Sequence, residues 1–408
     1  MNELAWGVIL ILMNPQAQGP ASAQGSRPQG ARNPSEWVTE WRVRGDVRYN
    51  SNVWLLDDRS QDRLGNRLLS FGGGGQQGGS LNNRYDDMES VDDFIFTPDV
   101  RFHAAGPSPL GKRLSFWLDA EYDAYIVNSR RSHFETDFGI GHYVGPDGHL
   151  NLSVKFIPMY FERNFLADGV DANGDSSISS SERVYDGGTY MDWDLGLEYR
   201  HRIVDRTKQQ PLGLDGLLAV GYRDRSYDSP FRSHDGAGPW TQLAFRFEYG
   251  PGLKWGVRYK VEFLESPTRR EVKILDEPDF GVDFNGNGTA TDINARAFEN
   301  VDRSRREHEI GLTLGVDLSP TVEVDLSYTL TLRDYESGEP YDVSYRNRQD
   351  TRNDFGVSLK NTLSKAADLR VGLQYRMHDT NRPSDPDITA DAYDYTRFVF
   401  FLALTYRW

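Results

Sequence analysis

Two stretches of the chain space hard oxygen donors as a divalent cation needs them. In the first, Asp171, Asn173 and Asp175 recur at every second residue. Ser177 follows with its carbonyl, and Glu182 closes the run with a carboxylate able to bind through both oxygens. Calcium takes six to eight oxygen ligands, and this spacing wraps them round one ion. In the second stretch Asp283, Asn285 and Asn287 repeat the pattern, and Asp292 offers a closing carboxylate. The alternative for both is an acidic, glycine-bearing surface loop without an ion. Other chemistry is poorly served. There is no cysteine, which excludes disulfides, thiolate metal sites and c-type haem attachment. The eight histidines are scattered, and neither Gly-x-Ser-x-Gly nor His-Glu-x-x-His occurs. Ser233, His234 and Asp235 are consecutive, whereas triad members must converge from separate places. No enzymatic activity is expected.

Residues 171–182 resemble an EF-hand loop, with Ile178 at the usual apolar place and Ser179 at the ninth position. Ser176 stands where the family has glycine for a sharp turn, and Gly174 offers that bend two residues earlier. Residues 283–294 look more like a dockerin-type loop, keeping Gly288 but placing Asn294 where glutamate is usual. The resemblance implies bound Ca2+ in a structural role, ordering long acidic loops. It implies no catalysis.

The elements that carry these loops read as strands. In the last run, Phe398, Phe400, Leu402, Leu404, Tyr406 and Trp408 share one parity, while Arg397, Thr405 and Arg407 share the other. A period of two with one apolar face is a half-buried strand. Fourteen such segments can be marked, at 36–56, 92–105, 113–128, 134–145, 150–167, 189–204, 216–228, 239–250, 253–275, 303–319, 321–336, 353–365, 368–379 and 396–408. Most reach the roughly 9–11 residues that a tilted membrane strand needs. Their connections alternate in length. Gly106–Pro109, Gly145–Gly148, Gly250–Gly252, Ser319-Pro320 and Lys365–Ala367 are tight, with proline presetting φ and glycine free to take positive φ. The segments 57–91, 168–188, 229–238, 276–302, 337–352 and 380–395 are long and polar; 129–133 is short among these, and 205–215 is longer than the other tight turns.

A terminal strand ending in an aromatic residue, short turns on one side and long loops on the other resemble Gram-negative outer-membrane β-barrels. The likeness covers residues 36–408. It implies an all-β fold: one antiparallel up-and-down transmembrane barrel of about 14 strands, porin-like, with short periplasmic turns and long extracellular loops. It implies outer-membrane lipid, lipopolysaccharide and the barrel-assembly machinery as partners, and it puts both calcium-like loops outside the cell. Residues 47–56 are also similar to the opening strand of surface-lipoprotein assembly modifiers, whose helical repeats have no counterpart here.

Parity then assigns an inward face. The first two strands offer Arg42, Arg44 and Arg101. The third to sixth offer Asp119, Glu121, Asp123, Asp192 and Asp194. The seventh to ninth offer Arg223, Arg225, Arg246 and Arg258. Glu323 and Asp325 follow on the eleventh, and Arg370 and Arg376 on the thirteenth. Two arrangements fit these alternating sectors. Opposed walls of unlike charge would set a transverse field across an open pore. Alternatively, arginines and carboxylates pair and partly close it. Trp117, Tyr125 and Phe161 point inward by the same parity.

Composition agrees with a barrel. Mean hydropathy is -0.63 while aromatics make up 12%, as expected when only alternate residues face lipid. After the N-terminus no segment approaches the roughly 20 apolar residues of a membrane helix. A net charge of -15 argues against nucleic acid. Residues 1–23 read as a signal peptide, with an apolar run from Leu4 to Met13 and Ala21-Ser22-Ala23 before the cut, although Glu3 stands where a basic residue is usual. Residues 24–35, rich in Gly, Pro and Gln, read as a disordered periplasmic lead-in. The expected function is passive diffusion of hydrophilic solutes. The alternative is a non-conducting scaffold that sheathes a protein partner or assists export of a surface protein.

Overall fold

The computed structural model describes residues 36–408 except 57–60, 62–88, 110–111, 146, 170–182, 208–209, 229–233, 251, 267–268, 274–296, 338–344, 346 and 382–393. The expected signal peptide and lead-in, residues 1–35, lie outside the described residues.

The strands are β1 (Val38–Asn50), β2 (Asp93–Pro107), β3 (Arg113–Tyr125), β4 (His133–Val144), β5 (Gly148–Gly169), β6 (Arg183–Val204), β7 (Leu212–Tyr227) and β8 (Gly236–Tyr249). They continue as β9 (Leu253–Leu264), β10 (Arg269–Lys273), β11 (Ala297–Val301), β12 (Arg305–Ser319), β13 (Val322–Tyr335), β14 (Gln349–Thr362), β15 (Ala367–Thr380) and β16 (Tyr395–Arg407). β10 and β11 pair only with each other. The other fourteen form one closed antiparallel barrel in chain order, sealed by β1 against β16. Closure leaves no open sheet edge, which lipid does not tolerate. At the seam the backbones of Trp41 and Trp408 exchange hydrogen bonds of 3.2 and 3.1 Å.

The alternation that marks each strand becomes the two faces of the wall. Along β16, Phe398, Phe400, Leu402, Leu404 and Tyr406 are exposed, while Arg397, Val399, Phe401 and Ala403 are buried. Along β1, Trp41, Val43 and Val47 face out, and Arg42, Asp46, Arg48 and Asn50 face in. Leu118, Leu197, Leu218, Leu243, Leu312 and Leu326 continue the apolar outer band. Aromatic rings gather near both rims. Tyr49 contacts Phe94 and Phe398 at one end, and Tyr406 contacts Trp408 at the other. An apolar belt between aromatic girdles, short turns at the end holding both strand termini and long loops at the opposite end make this an outer-membrane barrel. Two of the tight turns depend on glycine: Gly145 and Gly250 sit at φ of 72° and 57°, where a side chain would strain the backbone.

β6, β7 and β14 begin four to six residues before the sequence reading, and two strands end well short of it. The first strand stops at Asn50 rather than 56. Asn52 breaks it by turning its amide on the local backbone, donating to the Leu56 carbonyl at 2.7 Å and accepting from the Leu56 amide at 2.9 Å. The ninth strand stops at Leu264 rather than 275. Pro267 has no N–H to continue the ladder, and the chain resumes as the separate β10–β11 hairpin.

Candidate functional site

The inner wall is a continuous polar surface, and its charges are neutralised locally. Arg42 pairs with Asp99 at 2.9 Å and lies 3.6 Å from Asp119, which also receives Arg101. Arg44 pairs with Asp46 at 2.5 Å. Arg48 reaches past β2 to Asp123 on β3 at 2.6 Å and to Glu121 at 3.5 Å. Asp192 holds both Arg223 and Arg225, the latter at 2.7 Å. Asp194 accepts the Trp240 indole N–H at 2.8 Å. Arg246 pairs with Glu248 at 3.5 Å, and Arg258 with Glu309. Glu323 takes Lys254 at 2.7 Å, Asp325 takes Arg370 at 2.9 Å, and Asp354 takes Arg376 at 2.5 Å.

The pairs run along the wall, within one strand, between neighbouring strands or between strands one removed. Sequence reading missed Asp46, Asp99 and Asp354. Asp46 has the parity of Arg42 and Arg44, and Asp99 has that of Arg101, so alternation alone could have found both. The pairs Arg333–Glu307, at 2.5 Å, and Arg348–Asp350, at 2.8 Å, were missed as well. Trp117, Tyr125 and Phe161 are buried but form no continuous track. Trp117 donates to Asp137 at 3.4 Å, while the other two belong to a separate cluster.

Burial of the charged side chains varies along the barrel. Toward the short-turn end the side chains of Lys254 and Asp317 are 33% and 30% exposed. Toward the long-loop end those of Arg376 and Asp192 are 2% and 4% exposed. A layer of buried ion pairs lies toward the long-loop side, and Arg42 and Asp368 near the short-turn side are buried as well.

Above that layer the chain folds into its own mouth. After β1, Val53, Trp54 and Leu56 pack on the inward-facing Ile95, Tyr125 and Phe161. The Trp54 indole donates to the Ser90 carbonyl at 2.9 Å and to Asn128 Oδ1 at 3.1 Å. The Arg131 guanidinium lies 4.6 Å over its ring, donating as well to the Glu162 carbonyl at 3.2 Å and to the Tyr160 hydroxyl. Asp92 anchors the returning strand by accepting from Tyr49 at 2.7 Å and Ser90 at 2.6 Å. The Ser90 bond holds its carboxyl below the usual value. Further round, Tyr160, Tyr190 and Tyr227 stack in series, with ring centroids 5.1 and 5.0 Å apart. Tyr335 and Tyr345 form a third cluster under Arg348. The ends of the loop expected at 57–91 thus line the mouth; most of it lies outside the described residues.

The calcium-like residues Asp171, Asn173, Asp175, Ser177 and Glu182, with Asp283, Asn285, Asn287 and Asp292, also lie outside the described residues. Their anchor points do not: β5 to β6 and β9 to β12 are both long-loop connections, on the side of the Trp54 cluster. Of the consecutive Ser233, His234 and Asp235, the last accepts the Tyr227 backbone N–H at 2.6 Å, a loop-capping contact.

No protein-family model matches the chain, and no curated protein matches it in sequence. Among solved structures it is similar to the outer membrane channel DcaP of Acinetobacter baumannii, at 11% identity and a TM-score of 0.41 over 92% of this chain and 99% of that one. It is similar to the anion-selective porin from Comamonas acidovorans, at 10% identity and a TM-score of 0.36 over 91% and 99%. It is also similar to OmpT, an outer-membrane-expressed protein of Vibrio cholerae, at 10% identity and a TM-score of 0.38 over 91% and 97%. Likeness this distant bears on nothing beyond the barrel.

Proposed function

We propose that this protein is a narrow outer-membrane channel for passive diffusion of small hydrophilic solutes. The observation that carries the reading is the inner wall: charged from end to end, beneath Val53, Trp54 and Leu56 folded inward after the first strand. Paired charges offer a polar solute replacement hydrogen bonds along its path while giving an apolar one none. No step requires enzymatic chemistry. The spacing in 171–182 and 283–294 supports calcium in two extracellular loops, where even a roughly millimolar site would be filled. A bound ion there would order acidic loops beside lipopolysaccharide phosphates.

The second reading, a non-conducting scaffold with a protein partner in or on the barrel, is favoured by the buried ion-pair layer. Single-channel recording of refolded protein in planar bilayers separates the two. Small, steady ohmic steps are expected, shifting when calcium is removed and losing that shift in Asp171→Asn. Silence from protein shown to be folded refutes the channel and leaves the scaffold.

A further inference from the structure

A cavity of about 30 Å³ lies in the inner wall near the long-loop end, lined by Arg223, Arg225, Arg303 and Arg305 with Asp235 and Ser266 among their neighbours. Four guanidiniums face it against one carboxylate. Two of the four, Arg223 and Arg225, share a single counter-charge, Asp192. Glu262 stands 4.0 Å from Arg223 but is committed to Lys260 at 2.6 Å. The Arg305 side chain makes no hydrogen bond or ion pair among the described residues, and its Nε is buried without a partner. The carboxylate two residues along its strand, Glu307, is taken by Arg333 through two contacts of 2.8 and 2.5 Å. So this spot gathers guanidiniums around Arg305, whose donors are not taken up among the described residues.

We propose that this cavity is an oxyanion-binding site, taking the carboxylate or phosphate group of a solute, with Arg305 as its principal donor. Water needs roughly 10–15 Å³ of such space per molecule, so the cavity holds a few waters or the oxygens of one such group. A guanidinium presents its donors in a planar fork that matches two oxygens of a carboxylate or phosphate, and the bond is charge-assisted. The site deepens the channel reading by giving the favoured solute a charge, yet it is read at equilibrium and does not depend on conduction.

The test is calorimetric titration of the refolded barrel in detergent with sodium acetate and, separately, sodium phosphate, at constant ionic strength. Wild type is expected to bind at least one probe saturably, and the probe that binds distinguishes a carboxylate from a phosphate site. Arg305→Gln is expected to weaken binding at least tenfold. It leaves no carboxylate orphaned, so it should fold, which heat-modifiable migration on gels checks. Arg246→Gln, at the opposite end of the barrel, is expected to bind as wild type does. Absence of saturable binding by folded wild type, unchanged binding in Arg305→Gln, or equal loss in Arg246→Gln would each overturn the proposal. A barrel that binds but does not conduct would retain this site and lose only the channel.

Discussion

Replacing Trp54 by alanine should open the mouth without unfolding the barrel. The indole is 2% exposed and fills the space between Ile95, Tyr125 and Phe161. Emptying a buried tryptophan site costs about 3–5 kcal/mol. The lost indole donor and the lost cation–π contact with Arg131, 4.6 Å away, fall within that total rather than adding to it. The loss is local, because Trp54 belongs to no strand and the ladders between the fourteen barrel strands do not involve it. The cost therefore falls on docking of the first loop. A loss of about 3 kcal/mol changes the docked-to-free ratio by over a hundredfold. Conductance steps should rise, and limited proteolysis should cut between 51 and 92 faster, while the heat-modifiable gel shift moves by only a few degrees. Trp54→Phe, which keeps a ring over Tyr125 and under Arg131 but loses both donated hydrogen bonds, should fall between wild type and alanine. Equal conductance and equal proteolysis in all three would refute a loop held in the mouth by this residue.

Other substitutions address the wall. Asp192→Asn strands Arg223 and Arg225 in a buried layer without their shared counter-charge, and removing one partner of such a set costs about 3–5 kcal/mol. A lower urea midpoint is expected, and an unchanged one would mean that water reaches the pair. Gly221→Ala would put a methyl 2.3 Å from the Trp240 ring and 2.4 Å from the Leu195 carbonyl oxygen. Since that carbonyl is backbone and cannot move aside, the folded yield should drop by an amount equivalent to about 1–3 kcal/mol. Gly45→Ala, whose methyl meets only Phe96 at 3.9 Å, should refold normally.

The frame of the barrel was legible because the bilayer imposes it. Lipid outside and polar groups inside force a period of two on every spanning strand, and in β13 the alternation runs unbroken from Val322 to Leu332. Turns were legible for a different reason: proline and glycine act locally, so Gly145 and Gly250 announce their geometry in the sequence. What failed were features set by contacts. Residues 51–56 continue the alternating, apolar look of β1, yet Val53, Trp54 and Leu56 bury themselves against side chains on three other strands. Nothing within the segment distinguishes an apolar residue facing lipid from one turned into the lumen. Likewise 269–273 carries strand-like residues, but it pairs with 297–301 and not with the wall.

The interior charges were the harder case, and the reason lies in barrel geometry. Parity gives the face of a residue but not its neighbour two strands away. Strand tilt offsets each strand against the next, so Arg48 faces Ile95 in register yet finds its carboxylate on β3, with the Thr97 hydroxyl accepting from it and donating to Asp123 at 2.5 Å. The same offset tolerates a pairing that would otherwise repel. Arg42 and Arg407 are direct partners across the seam, and each is held by its own acid, Asp99 at 2.9 Å and Asp368 at 2.5 Å. A wall neutralised in this way exerts little net field on a passing solute. Discrimination by charge must then come from the few places where the pairing is incomplete, and in the described wall the surplus of guanidiniums around Arg305 is such a place.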